Sequence, residues 1–171
     1  MNVNWQNDAE YVALVEDLMN HEHVQRLDQF VHHHITTRLA HSISVSYHSY
    51  RWAKRFGLDT RSIARAALLH DLFFYECANN KCHVGGKGHN FEHPRIALAN
   101  ALQITDLSDK ERDIILKHMA GATLDMPRYA ESFIVSLVDK RCAMVEASWF
   151  VRVRMSGYLA QLRKWAGQPI I

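Results

Sequence analysis

An all-α fold is what this sequence predicts, and three observations carry it. Apolar residues recur at three- and four-residue intervals along most of the chain, the period of helices that bury one face. Good capping residues stand where those patterns begin: Asp8, Thr36 or Thr37, Asp59 or Thr60, and the pair Ser108 and Glu111 in a capping box. No series of alternating strands, no repeat and no low-complexity tract competes with this pattern.

Taken in order, residues 8–20 form a packing helix with Val12, Val15, Leu18 and Met19 on one face. A polar segment and three consecutive histidines follow. The next helix keeps Leu39, Ile43, Tyr47 and Tyr50 at helical spacing and stops at Gly57, a C-terminal glycine. The central helix starts after Asp59 or Thr60 and dissolves near Cys77. Its run from Ala64 to Glu76 is apolar nearly all round, so it is a buried element, and it contains the adjacent pair His70 and Asp71. A loop rich in Gly, Asn and Lys spans residues 78–91. His93 and Pro94 open another helix, with proline near the first turn, where its missing N–H costs little. The capping box at Ser108 starts a helix that ends with His118. A buried-looking helix then carries Asp139, and residues 148–166 form a separate amphipathic helix weakened by Gly157. Trp149, Phe150 and Trp165 are expected in the core, and Arg152, Arg154, Arg163 and Lys164 on a solvated face.

The 171 residues suit one domain able to bury a full core without disulfides. A formal net charge of +2 carries no nucleic-acid footprint. The longest stretch without Asp, Glu, Lys or Arg, from Leu39 to Tyr50, is far too short to span a membrane, and the N-terminal residues do not read as a signal peptide. Three cysteines, an odd number, fit a reduced, cytoplasmic protein with no membrane partner.

Twelve histidines need a separate account. An aspartate buried in the apolar surroundings of Asp71 costs several kcal/mol unless a cation or hydrogen bonds compensate it. The remaining ligand types are spread along the chain as His41, His93, His118 and Asp139, each on or at the end of a different predicted helix. Bundles build metal sites in this way, from side chains projecting inward on several helices.

This ordered set resembles the HD-domain superfamily of metal-dependent phosphohydrolases, whose signature is a His, an adjacent His-Asp pair and a distant Asp. Here His41, His70, Asp71 and Asp139 fill those places, in the strings RLAHS, ALLHD and LVDKRC, and the likeness covers about residues 30–147. Two further histidines, in EHPRIAL and ILKHM, fall where the six-ligand branch adds a second metal. The resemblance implies a single-domain helical bundle, residues 1–171, around a buried metal centre. It implies one ion on His41, His70, Asp71 and Asp139, with Asp71 bridging to a second ion on His93 and His118. Imidazole and carboxylate donors without thiolate suit Fe, Mn, Co, Ni or Zn. The chain departs from the HD-GYP phosphodiesterases, because HDLFF replaces their HD-x-GK text and no GYP follows.

The activity implied is hydrolysis of a small phosphoester or phosphoanhydride, such as a nucleotide, by metal-activated water, with Asp71 and His70 at its centre. His33, Lys87, Lys117, Arg128 and Lys140 are candidate substrate contacts, and Lys81 shares the Gly-rich loop, which would close over a bound phosphate. An alternative within the same resemblance is a di-iron oxygenase of a small phosphonate or polyol. A non-catalytic helical signalling module is a second alternative, and an oligomer is compatible with all three. A rival zinc site would use Cys77, Cys82, His83 and His89, although their spacing matches no common zinc pattern.

Overall fold

The computed structural model describes residues 4–32, 36–76, 83–84 and 87–166. Among them lie seven α-helices: α1 (Ala9–Met19), α2 (Glu22–Gln25), α3 (Arg38–Phe56), α4 (Thr60–Leu69), α5 (His89–Ala101), α6 (Asp109–Lys117) and α7 (Ala130–Ala166). Two antiparallel ladders, β1 (Val31–His32) with β2 (Thr36–Thr37) and β3 (His83–Val84) with β4 (Lys87–Gly88), are only two residues long. They pin connections and form no layer, so the class is all-α.

The helices begin where the capping chemistry places them. Asp8 accepts from the Tyr11 N–H at 3.2 Å, Thr37 from Ala40 at 3.2 Å and Asp59 from Ser62 at 3.0 Å. The Ser108–Glu111 capping box is complete, satisfying two orphan donors reciprocally. α3 closes on Gly57 at φ 66°, a left-handed conformation that glycine adopts without steric penalty.

α4 is the centre of the bundle. Every residue from Ser62 to Leu69 is buried, and the helix packs on α1, α3 and α6 while α7 covers α3 and α6. Tyr11, Val45, Tyr50, Ile63, Leu68 and Ile114 are fully enclosed in the resulting core. Arg65 is buried among them because Asp17 meets it with two bonds, at 2.6 and 2.8 Å, a fork geometry that compensates its desolvation.

Three boundaries differ from the sequence expectation, and for α4 the reason is tertiary. α4 stops at Leu69 rather than running toward Cys77. Arg38, 3% exposed, reaches from α3 to donate to the carbonyls of Phe73 at 2.6 Å and Tyr75 at 3.1 Å, with its guanidinium 3.7 Å above the Phe73 ring. Those carbonyls are held by a side chain on another helix instead of by N–H groups one turn ahead. α5 starts at His89, so Pro94 lies inside the helix instead of at its first turn. Its ring removes the bond that the Asn90 carbonyl would otherwise accept. α7 is one continuous helix, with no break at residue 148. No Gly or Pro lies between Ala130 and Ser156, and Ser148 bonds back to the Val145 carbonyl at 2.8 Å instead of capping a new helix. None of the described helices is long and apolar enough to cross a membrane.

Candidate metal centre

The ends of the helices bring the chemistry together. His41 lies in the first turn of α3, His70 at the C-cap of α4 with Asp71 next to it, His93 in α5, His118 at the C-cap of α6 and Asp139 in α7. His41, His70, Asp71, His93 and His118 are between 0% and 6% exposed, and the Asp139 side chain is 13% exposed. Three overlapping groups join them: His41 with His70 and Asp71, His70 with His118 and Asp139, and Asp71 with His93 and His118. Within each group the donor atoms lie within 4.8 Å of one another, so the cluster could hold a metal ion.

Backbone carbonyls orient three of the imidazoles. His70 Nδ1 is 2.7 Å from the Ala67 carbonyl, His118 Nδ1 is 2.8 Å from that of Ile115, and His93 Nδ1 is 2.8 Å from that of His89. The first two carbonyls belong to helix C-termini, which lack intrahelical partners. A carbonyl only accepts, so each Nδ1 carries the proton and each Nε2 presents a lone pair inward in the neutral ring. His70 Nε2 is buried with no hydrogen-bond partner, 3.8 Å from Asp71 Oδ2 and 3.7 Å from Asp139 Oδ1.

The Nε2 atoms of His93 and His118 face each other at 2.8 Å. With both Nδ1 atoms acting as donors, that contact sets two lone pairs against each other unless a cation lies between them. A proton fits poorly. Burial, aided by the neighbouring His93 and His70, drives His118 down to about 3, and burial also lowers His93 against the attraction of Asp71. Two imidazoles bound at right angles to one ion, each at about 2.0–2.1 Å, would hold their nitrogens about 3 Å apart. The donor set and its spacing therefore fit a transition metal.

His41 sits between two carboxylates. Its Nε2 is 3.0 Å from Asp139 Oδ1, and its Nδ1 is 3.0 and 3.2 Å from the two oxygens of Glu146. Burial opposes its charge, but the two acids outweigh burial and raise it from 6.5 to about 10. His70 is raised as well, because Asp71 and Asp139 overcome its burial. Asp139 is held well below the usual carboxylate range, since His41 and His70 outweigh its desolvation. Glu146 did not emerge from the sequence reading. Its signal was its position seven residues after Asp139, two turns along the same face of one helix.

These shifts predict a peaked pH profile for the metal-free protein. Folded His41 holds its proton more tightly than the unfolded chain, so its contribution is complete below pH 6.5 and is lost as pH rises through about 10. Folded His118 refuses a proton that the unfolded chain accepts, so its contribution is complete above 6.5 and is lost as pH falls toward about 3. Calorimetry in chelator should find the highest Tm near pH 6.5, where the two flanks meet, and His41→Gln should flatten the alkaline flank. A melting temperature constant from about pH 5 to pH 9 would contradict both assignments.

A cavity of about 460 Å³ opens beside the His93 and His118 end of the cluster, lined by residues 88–91 at the start of α5 and 122–125 after α6. His89 joins the cavity to the centre. Its ring stacks on His93 at 4.4 Å, and its Nδ1 is 3.1 Å from the Tyr75 hydroxyl.

Among the expected substrate contacts, Lys117 is near this cavity, 3.4 Å from Asp125 in its wall. Arg128 is exposed just before α7, and its backbone N–H donates to Asp113 at 3.0 Å. Lys140 lies next to Asp139 but directs bonds to the Ser136 carbonyl, the Ser136 hydroxyl and the His118 carbonyl, at 3.1, 2.6 and 3.2 Å. That geometry ties α7 to the end of α6. His33, Lys81 and the side chain of Lys87 lie outside the described residues, as do Cys77, Cys82 and the side chain of His83 in the rival zinc set. Comparison with known proteins finds no family model, no curated protein and no solved structure that matches this chain.

Proposed function

We propose that the chain is a metal-dependent phosphohydrolase with two divalent transition-metal ions, acting on a small phosphoester or phosphoanhydride such as a nucleotide. The observation that carries this reading is the 2.8 Å approach of the His93 and His118 Nε2 atoms with both Nδ1 atoms acting as donors. Asp71 supports a bridge. Its Oδ2 is 3.8 Å from His70, while its Oδ1 is 3.4 Å from His93 and 3.7 Å from His118, so the two oxygens face different imidazoles. His41, His70, Asp139 and Asp71 Oδ2 would hold one ion, and Asp71 Oδ1, His93 and His118 the other. The order of these six residues along the chain, which resembles the HD superfamily, supports the same division.

When bound, such ions polarise a phosphoryl group and bring the pKa of water from about 16 to about 7, which supplies a nucleophile at neutral pH. The residues supply the rest. The carbonyl-anchored imidazoles keep their donor atoms inward without side-chain rearrangement, and the apolar wall of α4 limits bulk water. Lys117 stands where an incoming phosphate would compete with Asp125 for its ammonium group. No nucleophilic side chain is required.

Elemental analysis of protein prepared without chelator, joined to a panel of nucleotides, dinucleotides and simple phosphoesters, tests the proposal. Two ions per chain and metal-dependent phosphate release are the expected results. One ion in every preparation, even with added metal, would reduce the centre to His41, His70, Asp71 and Asp139. Phosphate release undiminished by chelation would remove metal from the reaction. Oxygen consumption by the iron-loaded protein, with no hydrolysis across the panel, would replace hydrolysis by oxygenation.

A further inference from the structure

After Glu146 the described side chains of the last helix, as far as Tyr158, have almost no cover. Every residue from Ala147 to Ser156 is exposed except the half-buried Phe150. Trp149, Val151, Val153, Met155 and Tyr158 are 55%, 57%, 50%, 53% and 58% exposed. The sequence reading expected a packed helix with Trp149 in the core; the structure instead presents an apolar surface of a kind that marks an interaction site. Helix continues to Ala166, so residues 147–166 form an arm about 30 Å long.

The charge of the arm restricts what can cover it. Residues 147–166 contain Arg152, Arg154, Arg163 and Lys164 and no acidic residue. Val151, Met155 and Tyr158 are spaced i, i+4 and i+7 on one face, and the register places Arg152 and Arg154 along its two edges. A second copy of the arm would set these cations against their equals. An uncharged apolar groove would leave them without partners. An anionic lipid surface satisfies both parts, because acyl chains take the apolar face while arginine stems extend along it and carry their charge to the headgroups. Tyr158, on that face, has the amphipathic ring that favours that depth. The arm is not long and apolar enough to cross a bilayer, so it would lie along the surface.

We propose that residues 147–166 form a basic amphipathic arm that docks the protein on an anionic lipid surface. This stands apart from the phosphohydrolase reading, since it uses none of the metal-centre residues. The test is flotation of the full chain with vesicles of phosphatidylcholine alone and with about one third phosphatidylglycerol. Binding should appear only with the anionic vesicles and weaken as salt rises. The Arg152→Glu and Arg154→Glu double variant should bind at least about 100-fold more weakly, whereas Arg152→Lys with Arg154→Lys should bind nearly as wild type. Both pairs are exposed, and equal melting temperatures would verify that the body is intact. Failure to float at any anionic content, equal binding of the charge-reversed variant, or a stable dimer in sedimentation that buries the arm would each overturn the proposal. Binding to an acidic protein surface without any lipid affinity would do the same.

Discussion

The Asp71→Ala protein is expected to remain folded and to lose at least about 10³-fold in turnover, the scale of several kcal/mol of transition-state charge stabilisation. The reason is geometric. Among the described residues, Asp71 is the carboxylate whose two oxygens face separate imidazoles, Oδ2 toward His70 and Oδ1 toward His93 and His118. Its removal leaves both proposed ions short of a donor and takes away the negative charge that offsets them. His118→Ala should act differently. It deletes one neutral donor from one side, so occupancy of the second ion should fall and excess metal should restore part of the activity. Metal content, turnover with and without added metal, and circular dichroism measured together check the contrast. Wild-type turnover by Asp71→Ala would remove this residue from the mechanism.

Replacing Glu146 should be nearly as informative, although Glu146 is not a proposed ligand. It is 8% exposed and holds His41 Nδ1 at 3.0 Å, which directs Nε2 toward Asp139. A carboxylate behind a metal-bound imidazole fixes its tautomer and raises its basicity, and loss of such a partner typically costs about 10–100-fold in metal affinity. Glu146→Ala should weaken metal binding by that factor in a chelator-competition titration. Glu146→Gln, which keeps an acceptor oxygen but not the charge, should fall between. The metal-free variant should also show a lower His41 pKa by NMR, because one of the two acids that raise it is gone. A purely structural glutamate would lower the melting temperature and leave both metal affinity and the His41 titration unchanged.

Much of the fold was legible because it depends on local chemistry. Asp8, Thr37, Asp59 and Ser108 cap their helices with side-chain bonds no more than three residues away, and Gly57 ends α3 with its own backbone. Burial cost singled out Asp71 in its apolar run, whereas the set of six candidate ligands rested on their order along the chain, which resembles the HD superfamily. Helix ends that depend on distant residues were not legible. Arg38 ends the helical path before Phe73 from 35 positions away, and Glu146 reaches His41 across 105 positions. Neither pairing leaves a periodic trace near the residue it acts on.

By itself, then, the sequence determined the helical class and the burial of α4, because hydrophobic period and capping act within a few residues. Only the tertiary structure decided how the candidate ligands meet. Ending α4 at Leu69 places His70 and Asp71 at a helix terminus, where an orphan carbonyl can fix the imidazole and the next residue is free of helical geometry. Packing also decided that the cover over α7 ends near Glu146, although the helix itself runs on. An apolar residue at a helical position has the same pattern whether a neighbour buries it or leaves it exposed, and for Trp149 that neighbour is absent among the described residues.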